Sequence, residues 1–252
     1  MRYIKTVSQY CSEKFGTKVY RLALTTGATC PNRDGSVGVG GCSFCSEKGS
    51  GEFAQAVRDI DNQIDRAKEM VNQKFPAGIK EKDRRYIVYF QSFSNTYGDT
   101  KSLVKLFKKA IKRDEVVALS IATRPDCFKE DMLNELERLN SIKPVWIELG
   151  LQTVNEETAK NFNRGYSLKT FEKTFNELKK RNAGRIFVAS TFGLFTDGLD
   201  KFDKAYEEGL IHKVITTNLV YQTPDLLSRP YYISADMSKY VALIIDKLNH
   251  DS

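Results

Sequence analysis

The sequence predicts an α/β protein in which buried strands alternate with amphipathic helices, and three observations carry that prediction. Six runs, residues 20–24, 86–90, 116–121, 145–149, 186–189 and 214–219, are rich in β-branched and aromatic residues. They are nearly continuous in apolar side chains, as parallel strands covered on both faces require. Helical stripes separate them: Leu103, Leu106, Phe107 and Ala110, then Leu168, Phe171, Phe175 and Leu178. A third stripe, Met237, Tyr240, Val241, Ile244, Ile245 and Leu248, follows the last run. Each recurs at the three- and four-residue steps of a helix face. Finally, 252 residues at 41% hydrophobic content suffice for the core of one domain, or of two small ones.

Six strand–helix units with right-handed crossovers give a partial barrel or an open sheet. In either arrangement a site forms beyond the carboxyl ends of the strands. The lysines opposite the first stripe (Lys101, Lys105, Lys108, Lys109 and Lys112) read as a solvated helix surface. Lys+Arg 39 against Asp+Glu 32 leaves a net charge of +7, which permits a polyanionic partner such as RNA without requiring one. Ordinary apolar content excludes a disordered or collagen-like chain. No run approaches the roughly 18 apolar residues of a membrane span. The start, Met1-Arg2-Tyr3-Ile4-Lys5, lacks the apolar stretch and cleavage site of a signal peptide. The expectation is a soluble, cytoplasmic protein with no membrane partner.

One interruption marks where the chemistry is expected. Residues 25–53 carry no helix or strand pattern, are rich in glycine, and hold three of the five cysteines. A loop of this length in a compact domain is usually functional or disordered. Five is an odd number of cysteines for a disulfide framework, so a metal site or reactive thiols are the better reading. Cys30, Cys42 and Cys45 are spaced C-x11-C-x2-C. The last two can bind one centre from a single turn, and the first completes a face across the loop. Structural zinc asks for four closed ligands, which Cys11 or Cys127 would have to complete. Three thiolates suit a [4Fe–4S] cluster with one iron open to a non-protein ligand. Cys11 and Cys127 otherwise read as a buried small apolar residue and a loop thiol.

The loop Cys30-Pro31-Asn32-Arg33-Asp34-Gly35 … Gly40-Gly41-Cys42-Ser43-Phe44-Cys45 resembles the cluster loop of radical S-adenosylmethionine (SAM) enzymes. Its long first gap is similar to that of bacterial members related to the elongator-type catalytic subunit. The likeness continues through Lys14-Phe15-Gly16, Tyr89-Phe90-Gln91, Asn95-Thr96-Tyr97, Thr123-Arg124-Pro125-Asp126, Glu148-Leu149-Gly150-Leu151-Gln152 and Asn163-Arg164-Gly165. The resemblance implies a partial (βα)6 TIM-like barrel with the cluster on Cys30, Cys42 and Cys45. It implies SAM on the open iron as source of a 5′-deoxyadenosyl radical, and a flavodoxin or ferredoxin as electron donor. Gln91, Ser92 and Asn95 would lie beside the methionyl amino group, and Glu148 and Gln152 beside the ribose. For these residues ordinary loop hydrogen bonding is the competing reading. Arg124 would pair the SAM carboxylate, or brace the Pro125-Asp126 turn. The family's role implies a transfer RNA substrate, modified on the side chain of a wobble uridine.

Beyond about residue 180 the likeness changes. The family should continue with a fifth strand and a GLPGE-type turn that helps seat adenine. Here Arg185 to Thr196, Lys201 to Tyr206, Thr216 to Tyr221 and Asp236 to Tyr240 resemble the C-terminal part of a ribose-phosphate pyrophosphokinase. The resemblance implies a chimera: residues 1–183 a radical SAM core, residues 184–252 a fragment of the second family. The acidic, glycine-rich phosphoribosyl loop of that family is missing upstream of Arg185, so no phosphoribosyl pyrophosphate synthesis is expected. The sequence leaves open whether the last two strands close on the first four or pair as a small sheet of their own. It leaves open, too, a recombined scaffold without catalysis.

Overall fold

The computed structural model describes residues 7–49 and 59–250. It has two compact units, one ending at Arg181 and the other beginning at Asn182. In the first, α1 (Val7–Phe15) leads into β1 (Val19–Leu24), α2 (Ile60–Asn72) and β2 (Arg85–Phe90). Then come α3 (Thr100–Ile111), β3 (Val116–Thr123), α4 (Glu130–Asn140), β4 (Val145–Leu149), α5 (Glu156–Asn161) and α6 (Leu168–Lys180). The strands form one parallel sheet in the order β1-β2-β3-β4, with Leu24 beside Phe90, Phe90 beside Ile121 and Ile121 beside Ile147.

The apolar runs explain this sheet. Leu22, Leu24, Val88, Phe90, Val116, Leu119 and Ile121 are fully buried and pack with Ile60 and Ile64 of α2, Phe107 of α3 and Met132 of α4. At the amino ends of the strands α1 covers the other face, where Cys11 packs with Ile87 and Ala118. Local chemistry starts the helices. Asp99, Asn155 and Ser167 each accept a backbone N–H of the first turn, from Ser102, Thr158 and Thr170. β4, the last strand of the sheet, is half-buried at every position.

The second unit holds β5 (Phe187–Ala189), α7 (Asp200–Glu207), β6 (Lys213–Thr217), α8 (Pro224–Ser228), β7 (Tyr232–Ala235) and α9 (Ser238–His250). Its strands form a separate parallel sheet, β5-β6-β7. The core is small: Leu199, Val214, Leu226, Tyr231 and Tyr232, with Phe195, Phe202 and Ile211 against it.

Two expectations need correction. The described strands number seven, not six, because Tyr232-Ile233-Ser234-Ala235 forms β7. That run is four residues long and interrupted by a serine, too short for its apolar pattern to register. Nor do the strands make one six-stranded barrel or sheet; they divide four and three. β5 satisfies its ladder by pairing with β6, and all three of its residues are exposed, unlike those of a strand buried between two layers. Among the described residues no helix is long and apolar enough to cross a membrane.

Candidate functional site

The cysteine loop leaves the carboxyl end of β1 and is tied down residue by residue. At its start, Gln63 of α2 accepts the Thr25 N–H at 3.0 Å and donates to the Thr25 carbonyl at 3.2 Å. Thr29 accepts the Ser94 N–H, and Gly49 that of Phe93, both from the loop after β2. Residues 25–49 contain no helix or strand, only a bridge between Asp34 and Val39; residues 50–53 of the expected loop lie outside the described residues.

Two arginines and two asparagines do most of the holding. Arg33 donates to the Ser46 carbonyl at 2.6 Å and to those of Cys45 and Glu47 at 3.3 Å, clamping the turn that carries the last cysteine. Its guanidinium lies over the Phe93 ring. Asn32 is fully buried and its Nδ2 donates to the Asn163 carbonyl and to Cys42 Sγ, the latter at 3.6 Å. Since the Asn163 carbonyl can only accept, the amide orientation is fixed. Asn163 reciprocates by donating to the Gly41 carbonyl at 2.8 Å, and Ser43 N–H donates to Phe162. Two glycines make room for Asn32. A Cβ on Gly38 would stand 2.4 Å from Asn32 Oδ1, and one on Gly165 (φ 77°) 2.7 Å from it.

Arg164, also fully buried, donates through Nε to the Tyr166 carbonyl at 2.8 Å and through Nη1 to Leu151 and Thr153. Its Nη2 meets the Glu156 carboxylate. One buried cation thus orders the whole turn between β4 and α5, where its several donors leave no charge unpaired. Its own carbonyl accepts from Arg124 at 2.9 Å and from the Cys42 thiol at 4.0 Å. The guanidiniums of Arg124 and Arg164 both lie over the Tyr166 ring. Burial pushes the Tyr166 phenol up to about 12.

Cys30, Cys42 and Cys45 lie in the one loop after β1, near enough for the charges of Cys42 and Cys30 to bear on Cys45. Burial pushes the Cys45 thiol up, and the charges of Cys42 and Cys30 add to the shift. Burial raises Cys42 too, against the pull of Asn32 and Arg124. Thiolates so crowded and desolvated favour a cationic centre. Among the described residues no group of three His, Cys, Asp or Glu side chains converges on a single metal-ion position. A cubane cluster does not ask for that, because each thiolate takes a different iron. Three cysteines without a fourth fit a [4Fe–4S] group with one iron open. Cys11 is packed against Ile87 and Ala118 at the amino ends of the strands, the opposite end of the sheet from the loop. Cys127 donates to Asp126 at 3.7 Å, and burial pushes its thiol up to about 12.

The other sequence-derived residues fall into two groups. Gln91 and Ser92 follow β2, and the Gln91 Nε2 is buried without a hydrogen-bond partner, which leaves a donor for a ligand. Gln152 is exposed after β4 with φ 68°. Asn95, by contrast, is fully used within the protein. Its Nδ2 donates to the Phe90 and Ala122 carbonyls at 3.0 Å, and its Oδ1 accepts from Thr26. Asn95 thereby ties the ends of β1, β2 and β3 together. Arg124 makes a bidentate pair with Asp126, at 2.9 and 2.7 Å, and its Nη1 lies 3.8 Å from Cys30 Sγ. Bracing the turn is what it does here. Glu148 accepts from Ser120 at 2.7 Å and pairs with Arg21 at 3.2 Å. Burial, with Glu148 beside it, pushes the Tyr89 phenol up to about 12.

Sequence reasoning named Asn163-Arg164-Gly165 only as a likeness and gave no role to Asn32, Arg33 or Gln63. The signal that could have found Arg164 is its setting, an arginine between asparagine and glycine in a turn after a short helix.

The model of the radical SAM superfamily matches residues 24–209, past the residue at which the second likeness was expected to begin. The uncharacterized protein YtqA of Bacillus subtilis (strain 168) is 42% identical over 176 residues, 69% of this chain and 53% of that protein. The uncharacterized protein MJ0486 of Methanocaldococcus jannaschii is 28% identical over 255 residues, 96% of this chain and 74% of that one. The chain spans about half the length of YtqA. Among solved structures, the archaeal Methanocaldococcus infernus Elp3 with an N-terminal deletion superimposes with a TM-score of 0.45 at 17% identity, over 79% of this chain and 45% of that one. With the family model covering most of its length, the chain belongs to the radical SAM superfamily, whose cofactors are a [4Fe–4S] cluster and S-adenosylmethionine.

Proposed function

We propose that Cys30, Cys42 and Cys45 hold a [4Fe–4S] cluster and that SAM binds beside it at the carboxyl ends of β1 to β4. The observation that carries this reading is the set of three neighbouring thiols in a loop fixed by Asn32, Arg33 and Arg124. When bound, cluster and SAM supply a 5′-deoxyadenosyl radical for hydrogen abstraction. The chain's own residues do the placing. Gln91, through its unpartnered amide, and Ser92 meet the methionyl end; Glu148 and Gln152 lie toward the ribose. Asn95 and Arg124 act one step back, fixing the strand ends and the turn on which the ligand rests. The substrate we assign is a transfer RNA wobble uridine, on the likeness to the elongator-type subunit, with a flavodoxin or ferredoxin as electron donor.

The test is anaerobic reconstitution followed by iron and sulfide analysis and the visible spectrum with and without SAM. About four irons per chain are expected. Replacing any one of Cys30, Cys42 and Cys45 by Ala should abolish most of that iron, whereas Cys11→Ala should retain it. Iron near zero in the unaltered chain refutes the assignment. Release of 5′-deoxyadenosine that depends on added transfer RNA supports the substrate.

A second reading concerns residues 184–252, taken as a recombined fragment similar to the end of a ribose-phosphate pyrophosphokinase. The motif likeness supports it; the superfamily match through residue 209 weighs against it. On this reading the chain is a folded but empty scaffold without catalysis. A melting temperature that responds neither to cluster reconstitution nor to SAM is its mark.

A further inference from the structure

Two buried side chains direct N–H groups at the thiols as well as at backbone carbonyls around them. Arg124 Nη1 stands 3.8 Å from Cys30 Sγ, and Asn32 Nδ2 stands 3.6 Å from Cys42 Sγ. Neither can swing away. Asn32 is confined by Gly38 and Gly165 and by its bond to the Asn163 carbonyl. The Arg124 guanidinium lies over the Tyr166 ring, with Nε and Nη2 on Asp126 and Nη1 also on the Arg164 carbonyl. A guanidinium needs no sulfur partner to be satisfied once it has a bidentate carboxylate and a carbonyl. Its remaining direction is nevertheless spent on Cys30.

Hydrogen bonds to sulfur and nearby positive charge stabilise the electron-rich, reduced state of an iron–sulfur centre over the oxidised one. The buried setting makes both effects larger than they would be in water. Asp126 sits on the far side of Arg124 and cancels part of its charge without touching Cys30 itself. We infer that the Asp126–Arg124 pair, with Asn32, sets the reduction potential of the cluster: Arg124 and Asn32 raise it, and Asp126 trims the rise. These are positioning and tuning residues, not catalytic ones. The inference rests on the cluster assignment made above.

The experiment is an anaerobic redox titration of the reconstituted full chain, followed by electron paramagnetic resonance of the reduced cluster, with iron measured on every sample. Arg124→Gln removes the charge and is expected to lower the midpoint potential. Asp126→Asn leaves an acceptor for the guanidinium but no neutralising charge, and is expected to raise it. The opposite signs separate tuning from mere damage, since loosening the loop would not move the two variants in opposite directions. Should Arg124→Gln fail to hold iron, Asp126→Asn decides alone, and an unchanged or lowered potential there overturns the inference. Loaded variants with potentials equal to that of the unaltered chain also overturn it, while the cluster assignment stands. An unaltered chain without iron overturns both.

Discussion

The two units of this protein use the same elements to different depths. In the first, Leu22, Leu24, Val88, Phe90, Leu119 and Ile121 of β1 to β3 are fully buried with α2, α3 and α4, and Phe90 and Phe107 pack ring against ring at 5.1 Å between centroids. In the second, the buried apolar side chains among the described residues are Leu199, Val214, Leu226, Tyr231 and Tyr232, and β5 is exposed along its length. Tyr240, Leu243, Ile244, Ile245 and Leu248 of α9 are exposed as well. A loop that must hold three thiols in place needs a rigid base, and the first unit supplies it: strand ends locked by Asn95, and a turn filled by Arg164.

The largest expected effect tests that contrast in stability. Phe107→Ala opens a cavity in a fully buried site and should cost about 3–5 kcal/mol, whereas Leu226→Ala, in the small core, should cost about 2 kcal/mol. Urea unfolding followed by Trp146 fluorescence for the first unit and by circular dichroism for both would separate them. Equal costs, or one shared transition for both variants, would break the comparison.

Acid should act on the first unit through Glu115. Burial by itself would raise this carboxyl, but Arg113 at 2.7 Å and Lys68 at 3.0 Å hold it down at about 2. A folded-state value below the ordinary one near 4.5 means that the contribution is complete above that pH and fades as pH falls toward 2. Discounted for partial exposure it amounts to about 1–2 kcal/mol, and Glu115→Gln should flatten the stability profile over that interval. A profile with unchanged slope would remove the pair from the account.

The smallest effect is one of reactivity. Cys127 has its thiol pushed up to about 12 by burial and by Asp126, so little thiolate is present at pH 8. In the iron-free protein iodoacetamide should label Cys42 and Cys45, both partly exposed, well before Cys127. Mass spectrometry of the labelled peptides reads the order, and early labelling of Cys127 would show that its surroundings open readily.

The parts legible in the sequence are those whose physics is local. β1 to β4 were visible as apolar runs, and their observed ends differ by no more than two residues, at Thr123. The helix-starting residues Asp99, Asn155 and Ser167 act on their own first turns. The spacing of Cys30, Cys42 and Cys45 in a glycine-rich stretch marked a metal site, and its place after the first strand, with the family resemblance, turned that reading from zinc toward a cluster. The amphipathic stripe of α9 was equally visible, yet a stripe specifies a face and not what covers it, and no residue of that helix is buried.

What only the tertiary structure decided depends on residues far apart in the chain. Asn32 meets Asn163, Arg124 meets Cys30, and Gln63 holds Thr25, each contact bridging 38 residues or more. The resemblance offered Asn95 as a ligand contact or an ordinary loop hydrogen-bonder, and Arg124 as a carboxylate partner or a brace of the Pro125-Asp126 turn. The fold shows Asn95 bonded to strand carbonyls and Arg124 paired with Asp126. It also divided the strands four and three, since pairing follows which backbone edges meet and not the order of apolar runs. The sequence by itself determined which residues could carry the chemistry; the packing determined which of them are left free to do so, because a buried donor or acceptor must be satisfied and most are satisfied by the protein itself.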